Sequence, residues 1–318
     1  MKDSSKISRR DILRNAGAVA SVGILGSPST GADSKAAGRP ATSGPRVLVL
    51  MGDRYHNQTS IRVALHPIFS ELALPVDYTT NYYDLSADLL KPYQLFVCFR
   101  DNAIWPGGYL NSDEDPAGRS AAVGLEDAGN FPPEKAEDWM SETQGQAVRD
   151  FVSRGNGFLS LHNSSYISRS SKSYRDVHGG VALGHTPVRP FKVRIVNKEH
   201  PITEGVEDFM VMDEQQYVTY DRDQKGVLLH AENLDGLTFA PGARPAGGRG
   251  GGGFQGRGTD ANGASPPGDL GTTSINGWAH NYEQGRVVFL ALGHAPEAAQ
   301  PEYIKIQKNA IRWLLRMT

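Results

Sequence analysis

The strongest constraint on this fold lies in residues 155–165, Gly155-Asn156-Gly157-Phe158-Leu159-Ser160-Leu161-His162-Asn163-Ser164-Ser165. A glycine turn leads into a short apolar run that stops abruptly at polar residues. Such a run suits a strand buried on both faces of a parallel sheet. Ligands of open α/β sheets bind just beyond the carboxyl ends of such strands. His162 falls at that end, and Asn163, Ser164 and Ser165 are placed to cap a following helix. Related turns carry a Cys or Ser nucleophile between glycines. Here the position holds His162, which points to acid–base, metal or binding chemistry.

The same unit recurs along the chain. Val47-Leu48-Val49-Leu50-Met51 reads as a first buried strand, ending at Asp53, Tyr55 and His56, before Ile61, Leu65, Ile68, Phe69 and Leu72 at helical spacing. Residues 76–80 form a second strand followed by Tyr82 and Tyr83, and residues 85–90 a short helix. Residues 93–99 form a third strand ending at Arg100, Asp101 and Asn102. A helix over 141–154 leads into the His162 strand. Residues 189–196 and 227–231 read as further strands, and 275–281 with 286–292 as a hairpin ending at Gly293-His294. Residues 304–315 form a closing helix. Strand–helix alternation predicts an α/β fold, a doubly wound and mostly parallel sheet with an added antiparallel hairpin.

Three segments stand outside that rhythm. Residues 104–140 and 241–271 read as loop insertions, the second a Gly/Arg/Pro segment too poor in apolar residues to order itself. At the N-terminus, Ser8-Arg9-Arg10-Asp11-Ile12-Leu13-Arg14 precedes an uncharged, mildly apolar run over 15–27 and a Gly/Ser/Ala/Pro tether over 31–45. That is the layout of a twin-arginine export signal, cleaved near Ala32 or Ala37. It predicts a periplasmic or extracytoplasmic protein with the export machinery as partner. The apolar run is too short and glycine-rich for a stable membrane span.

A net charge of -2 gives no reason to expect nucleic acid. No G-x-G-x-x-G or P-loop follows the first strand, which argues against a nucleotide site. The single Cys98 excludes an internal disulfide and a multi-cysteine metal site, and its apolar setting predicts a buried thiol.

Polar strand ends of a doubly wound sheet converge on one edge. His162, Glu214, His56 and His294 are therefore the candidate catalytic groups, His and Glu being suited to proton transfer near neutral pH. Asp53, Tyr55, Tyr82, Arg100, Asp101, Asn102, Asn163, Ser164, His185 and Tyr217 are candidate substrate-binding groups. Aromatic faces beside amides, carboxylates and guanidinium suit a carbohydrate. A lone histidine also serves as a plain structural hydrogen-bonder or stands in solvent, the reading for His66 on a helix, His200 before a turn proline and His230 at a strand end. His178 and His185 read as members of a glycine-rich loop. Several histidines with Glu214 suit Zn²⁺ or a similar divalent ion, although no H-E-x-x-H spacing supports one and no cofactor is fixed.

Asp53-Arg54-Tyr55-His56, Arg100-Asp101-Asn102, residues 157–162, His200-Pro201-Ile202-Thr203-Glu204-Gly205, Asp213-Glu214-Gln215-Gln216-Tyr217 and residues 285–294 occur in this order. As a set they resemble the ThuA-like, trehalose-utilisation family, over roughly residues 46–316. The resemblance implies a flavodoxin-related fold of the class I glutamine-amidotransferase-like kind without the amidotransferase thiol. It also implies a role in bacterial sugar catabolism, on glycosides or 3-keto sugars. The alternatives are a non-catalytic sugar-binding module on the same scaffold and an amidotransferase-type hydrolase with Ser164 as nucleophile. The latter lacks the elbow cysteine.

Overall fold

The computed structural model describes residues 44–104, 136–234, 271–294 and 296–317. The export signal, nearly all of the tether and most of both expected insertions lie outside them. The elements, in chain order, are β1 (Val47–Met51), α1 (Gln58–Glu71), β2 (Val76–Thr79), α2 (Ala87–Leu90), β3 (Leu95–Phe99), β4 (Ala103–Ile104), β5 (Glu137–Asp138), α3 (Glu142–Ser153), β6 (Gly157–Leu161), a 3₁₀ segment (His162–Arg169), α4 (Lys172–His178), β7 (Gly180–His185), β8 (Arg189–Ile195), β9 (Phe209–Asp213), β10 (Gln216–Tyr220), β11 (Val227–Asn233), β12 (Thr273–Tyr282), β13 (Gly285–Leu290) and α5 (Pro301–Leu315).

One sheet of nine strands runs β2-β1-β3-β6-β13-β12-β11-β8-β9. The first five are parallel, and the last four continue from β13 by antiparallel pairing. The expected α/β class, parallel core and terminal hairpin are all present. The antiparallel half is larger than a single hairpin, because β8, β9 and β11 join the same sheet.

Period-two alternation explains why the parallel strands are apolar throughout. Val47, Val49 and Met51 of β1 pack with α1 and α5 on one face. Leu48 and Leu50 face the other layer, with Phe96, Cys98, Phe158 and the α3 residues Val148, Phe151 and Val152. The helices α1 and α3 start where the sequence predicts, while α2 begins at Ala87 rather than 85 and α5 at Pro301 rather than 304. The Asn57 side chain accepts from Thr59 N and Ser60 N. Ser141 and Gln144 form a reciprocal capping box on α3. Among the described residues no helix is long and apolar enough to cross a membrane.

Two local expectations are corrected. His178 and His185 are not loop residues: His178 ends α4, with Gly179 as its left-handed C-cap at φ 86°, and His185 ends β7, which pairs with β10. The glycines that read as loop signals terminate a helix and start a strand. Nor do Asn163, Ser164 and Ser165 cap a helix. The 3₁₀ turn has no side-chain cap. The hydroxyls of Ser164 and Ser165 donate back to Leu161 O and His162 O, and Ser171 caps α4.

His178 is fully buried among Tyr174, Trp278 and Phe289, with ring centroids 5.2–5.6 Å away. Its Nδ1–H donates to Gly180 O at 2.9 Å. Burial pushes its pKa down from the ordinary 6.5 to about 3. Between those values the unfolded chain binds a proton at this site that the native chain refuses, so native stability falls as pH drops through that window. His178→Gln keeps a donor for Gly180 O but does not titrate. Urea midpoints measured from pH 7 to pH 4 should therefore slope less steeply for His178→Gln than for the wild type. Equal slopes would show that His178 does not drive the acid lability.

Candidate functional site

The carboxyl ends of β1, β3, β6 and β13 lie on one edge of the sheet, and each delivers part of one cluster. His56 follows β1, Asp101 follows β3, His162 follows β6 and His294 follows β13. Ring centroids of His56 lie 4.9 Å from His162 and 5.0 Å from His294. The convergence expected from strand polarity is therefore realised for all three histidines.

Glu214 arrives from the opposite end of the sheet. β9 is four strands from β13, a separation of roughly 19 Å across a flat sheet at about 4.8 Å per strand. Yet the Asp213 carboxylate at the end of β9 accepts from Gly293 N at 2.7 Å and His294 N at 3.1 Å. The antiparallel half must curl back over the strand ends. The turn that carries Glu214 is locked by Gln215: its backbone N–H donates to Thr186 Oγ1 and its side chain donates to Ala231 O and Thr272 O.

Glu214 then bridges three imidazoles. Its Oε1 lies 3.2 Å from His185 Nδ1, and its Oε2 lies 3.4 Å from His294 Nδ1 and 3.6 Å from His162 Nε2. Burial raises the Glu214 pKa, but the three histidines outweigh it and hold the group at about 2. Burial lowers the pKa of His162, but Glu214 and Asp213 outweigh it and the net direction is upward. Burial dominates at His294, which falls to about 4 despite Glu214.

The tautomers are set from behind. His162 Nδ1 faces Ala291 O at 2.8 Å and donates to it, leaving Nε2 directed into the cluster. That Nε2 is buried with no hydrogen-bond partner, Glu214 standing too far off at 3.6 Å. His162 also holds a left-handed backbone, φ 51°, which costs a non-glycine residue about 1 kcal/mol or more. His56 Nδ1 donates to the Asp53 carboxylate at 2.8 and 3.0 Å, and its Nε2 meets His294 Nδ1 at 3.1 Å. Asp53 also accepts from Tyr55 N, His56 N, Asp101 N and Asn163 Nδ2. Burial pushes its carboxyl pKa up, but His56 and these donors hold it well below the usual carboxylate range.

The remaining expected binding residues divide. Asp101 and Asn163 join the cluster through a 3.4 Å contact of Asn163 Nδ2 with Asp101 Oδ2. Arg100 lies with its guanidinium 4.1 Å from the Tyr82 ring centroid and donates to Gly52 O. Tyr55 is exposed. Ser164, Asn102 and Tyr217 turn to structural work. The Ser164 hydroxyl shares a 2.6 Å bond with Ser160 Oγ, Asn102 Oδ1 accepts from Ser170, and the Tyr217 hydroxyl donates to Gly271 O. With no histidine on Ser164, and with burial pushing the Cys98 thiol up to about 12, neither residue is set up as a nucleophile. Sequence reasoning missed Tyr166, whose half-buried ring lies edge-on to His185 at 6.4 Å. It also passed over Asp213 as a positioning group. The acidic pair Asp213-Glu214 was the available signal, but nothing local showed that its first member anchors Gly293-His294.

Asp213→Asn would set an amide N–H₂ against backbone N–H groups of the His294 turn. Unfolding in urea at pH 7 should show a loss of about 1–3 kcal/mol, with unchanged far-UV circular dichroism. A loss below 0.5 kcal/mol, in order of magnitude the scatter of neutral surface changes, would remove Asp213 as the anchor.

Comparison with known proteins agrees with this architecture. Residues 125–314 match the model of the ThuA family, described as trehalose utilisation. Two solved structures are similar in fold: a putative ThuA-like protein from Bacteroides uniformis, 17% identical with a TM-score of 0.51, covering 87% of this chain and 95% of that one; and another from Parabacteroides merdae, 14% identical with a TM-score of 0.55, covering 85% and 90%. No curated protein matches the chain. The family match spans well over half of the sequence, and the chain belongs to the ThuA family.

Proposed function

We propose that this chain is an exported, carbohydrate-active ThuA-family protein that acts on a glycoside or 3-keto sugar by proton chemistry at the histidine–glutamate cluster. The observation that carries this reading is the Glu214–His185 pair at the cluster's rim. His185 Nδ1 lies 2.9 Å from Thr186 O and 3.2 Å from Glu214 Oε1, and its side chain is 23% exposed, whereas that of His162 is 0% exposed. A carboxylate on one imidazole nitrogen orients the ring and stabilises the imidazolium formed when the other nitrogen takes a proton.

A 3-keto group acidifies the C–H at C2. His185 Nε2 takes that proton, and the electron pair moves into the carbonyl oxygen as an enolate beside the imidazolium so formed. The glycosidic C1–O bond is β to the carbonyl. Return of the electron pair breaks the C1–O bond and forms the C1–C2 double bond, the leaving oxygen takes the proton back from His185 Nε2, and water can add to the double bond afterwards. The test is turnover of a 3-keto-glucoside by the mature protein, followed by release of the aglycone. His185→Ala and Glu214→Gln should each lower kcat by roughly 10²–10⁴, with KM much less affected. Wild-type turnover in His185→Ala overturns the assignment of the base.

A binding role on the same scaffold is favoured by the Tyr82–Tyr83 ring pair, 4.2 Å between centroids, with Tyr83 largely exposed. Tight binding of a sugar that is never converted, equal in wild type and His185→Ala, would select that reading. Export is tested separately. Replacing Arg9 and Arg10 with Lys should leave the precursor in the cytoplasm, and normal export of the variant would rule out the twin-arginine route.

A further inference from the structure

We propose that His56, His162, His294 and Glu214 form a binding site for one divalent first-row transition ion. One nitrogen from each histidine lies within 4.8 Å of the other two. Corners of a tetrahedron around an ion with bonds of about 2.0–2.1 Å lie about 3.3 Å apart. The separations here are 3.1 Å between His56 Nε2 and His294 Nδ1, 3.4 Å between His294 Nδ1 and Glu214 Oε2, and 3.6 Å between His162 Nε2 and Glu214 Oε2. Among the three histidines no edge needs to close by more than about 1.5 Å, and Glu214 already stands beside two of them.

Three further observations point the same way. The buried His162 Nε2 aims into the cluster and makes no hydrogen bond. His162 and His56 each commit Nδ1 to an acceptor behind the ring, Ala291 O and the Asp53 carboxylate. This outer-shell arrangement presents the other nitrogen of a ligating histidine to a metal. Finally, His56 Nε2 and His294 Nδ1 face each other with at most one proton between them, and a cation would satisfy both lone pairs. Imidazole nitrogens with one carboxylate suit Zn²⁺, Mn²⁺, Co²⁺ or Ni²⁺, while Ca²⁺ and Mg²⁺ demand oxygen donors.

The ion's site does not depend on the substrate proposed above. Its catalytic use does: bound there, the ion would serve as the Lewis acid for the keto oxygen. Glu214 divides accordingly, with Oε2 toward the ion and Oε1 toward His185.

The test is Zn²⁺ titration of the chelator-treated mature protein by calorimetry, together with the visible d–d absorption of the Co²⁺-loaded form. The wild type should bind one equivalent. His294→Ala, at the 30% exposed rim, and His56→Ala should weaken binding by at least about a hundredfold, and Asp53→Asn by roughly 10–100-fold through the His56 ring. His66→Ala, remote on α1, should bind as the wild type does. Circular dichroism establishes that each variant is folded. A folded wild type that takes up no Zn²⁺, or a folded His294→Ala that binds it equally well, overturns the site. Stoichiometric binding without turnover of the keto-sugar would leave the site standing and defeat only the substrate reading.

Discussion

A buried carboxylate in contact with three imidazoles governs the organisation of this protein. Removing an ionised carboxylate from water costs several kcal/mol unless charge and hydrogen bonding are returned to it. Glu214 receives that return from His162, His185 and His294, which lie on three different elements. The cluster can exist only if β6, β7 and the β13 end all reach the turn after β9. Strand order alone would leave β9 far from β13. The curl of the antiparallel half is the geometric condition for the site. Asp213 accepts from Gly293 N and His294 N across that curl and ties the two halves together at the histidine–glutamate cluster.

The two halves of the sheet contribute differently. The parallel half supplies rigid positions: strands buried on both faces, each ending at the same edge, with His56 and His162 held from behind by Asp53 and Ala291 O. The antiparallel half supplies the buried Glu214, on the turn after β9, and the separate β7–β10 pair supplies the more open His185 at the end of β7. A buried group of side chains on a stiff scaffold beside a more open one at the rim keeps one part of the cluster preorganised while the other stays accessible.

The parallel half was legible in the sequence because its signals are local. Val47-Leu48-Val49-Leu50-Met51 and Phe158-Leu159-Ser160-Leu161 are apolar runs with polar ends, and strand polarity then puts His56, His162 and His294 at one edge. The rest depended on long-range contacts. Nothing near Glu214 shows that it lies against residues 162 and 294, because the pairing runs through the curl of four antiparallel strands. Gly179 and Gly180 looked like loop because a helix C-cap and a strand start use the same residue type. Ser164 looked like a ligand-facing residue, but its hydroxyl is taken by Leu161 O and Ser160, a contact that depends on the 3₁₀ path of the chain after His162.

The backbone of His162 connects these points. A left-handed residue other than glycine persists only where its surroundings over-determine it. At His162 the surroundings are the Nδ1 bond to Ala291 O, Phe99 at 5.8 Å between ring centroids, and Gly293, where a Cβ would come 2.9 Å from the Phe99 ring. That glycine lets the β13 end pass close to the β6 end, bringing His294 beside His162. The strain at one residue and the missing side chain at another therefore serve a single end. They direct two imidazole nitrogens toward one point in the protein interior, where neither finds a conventional hydrogen-bond partner except through its neighbours in the cluster.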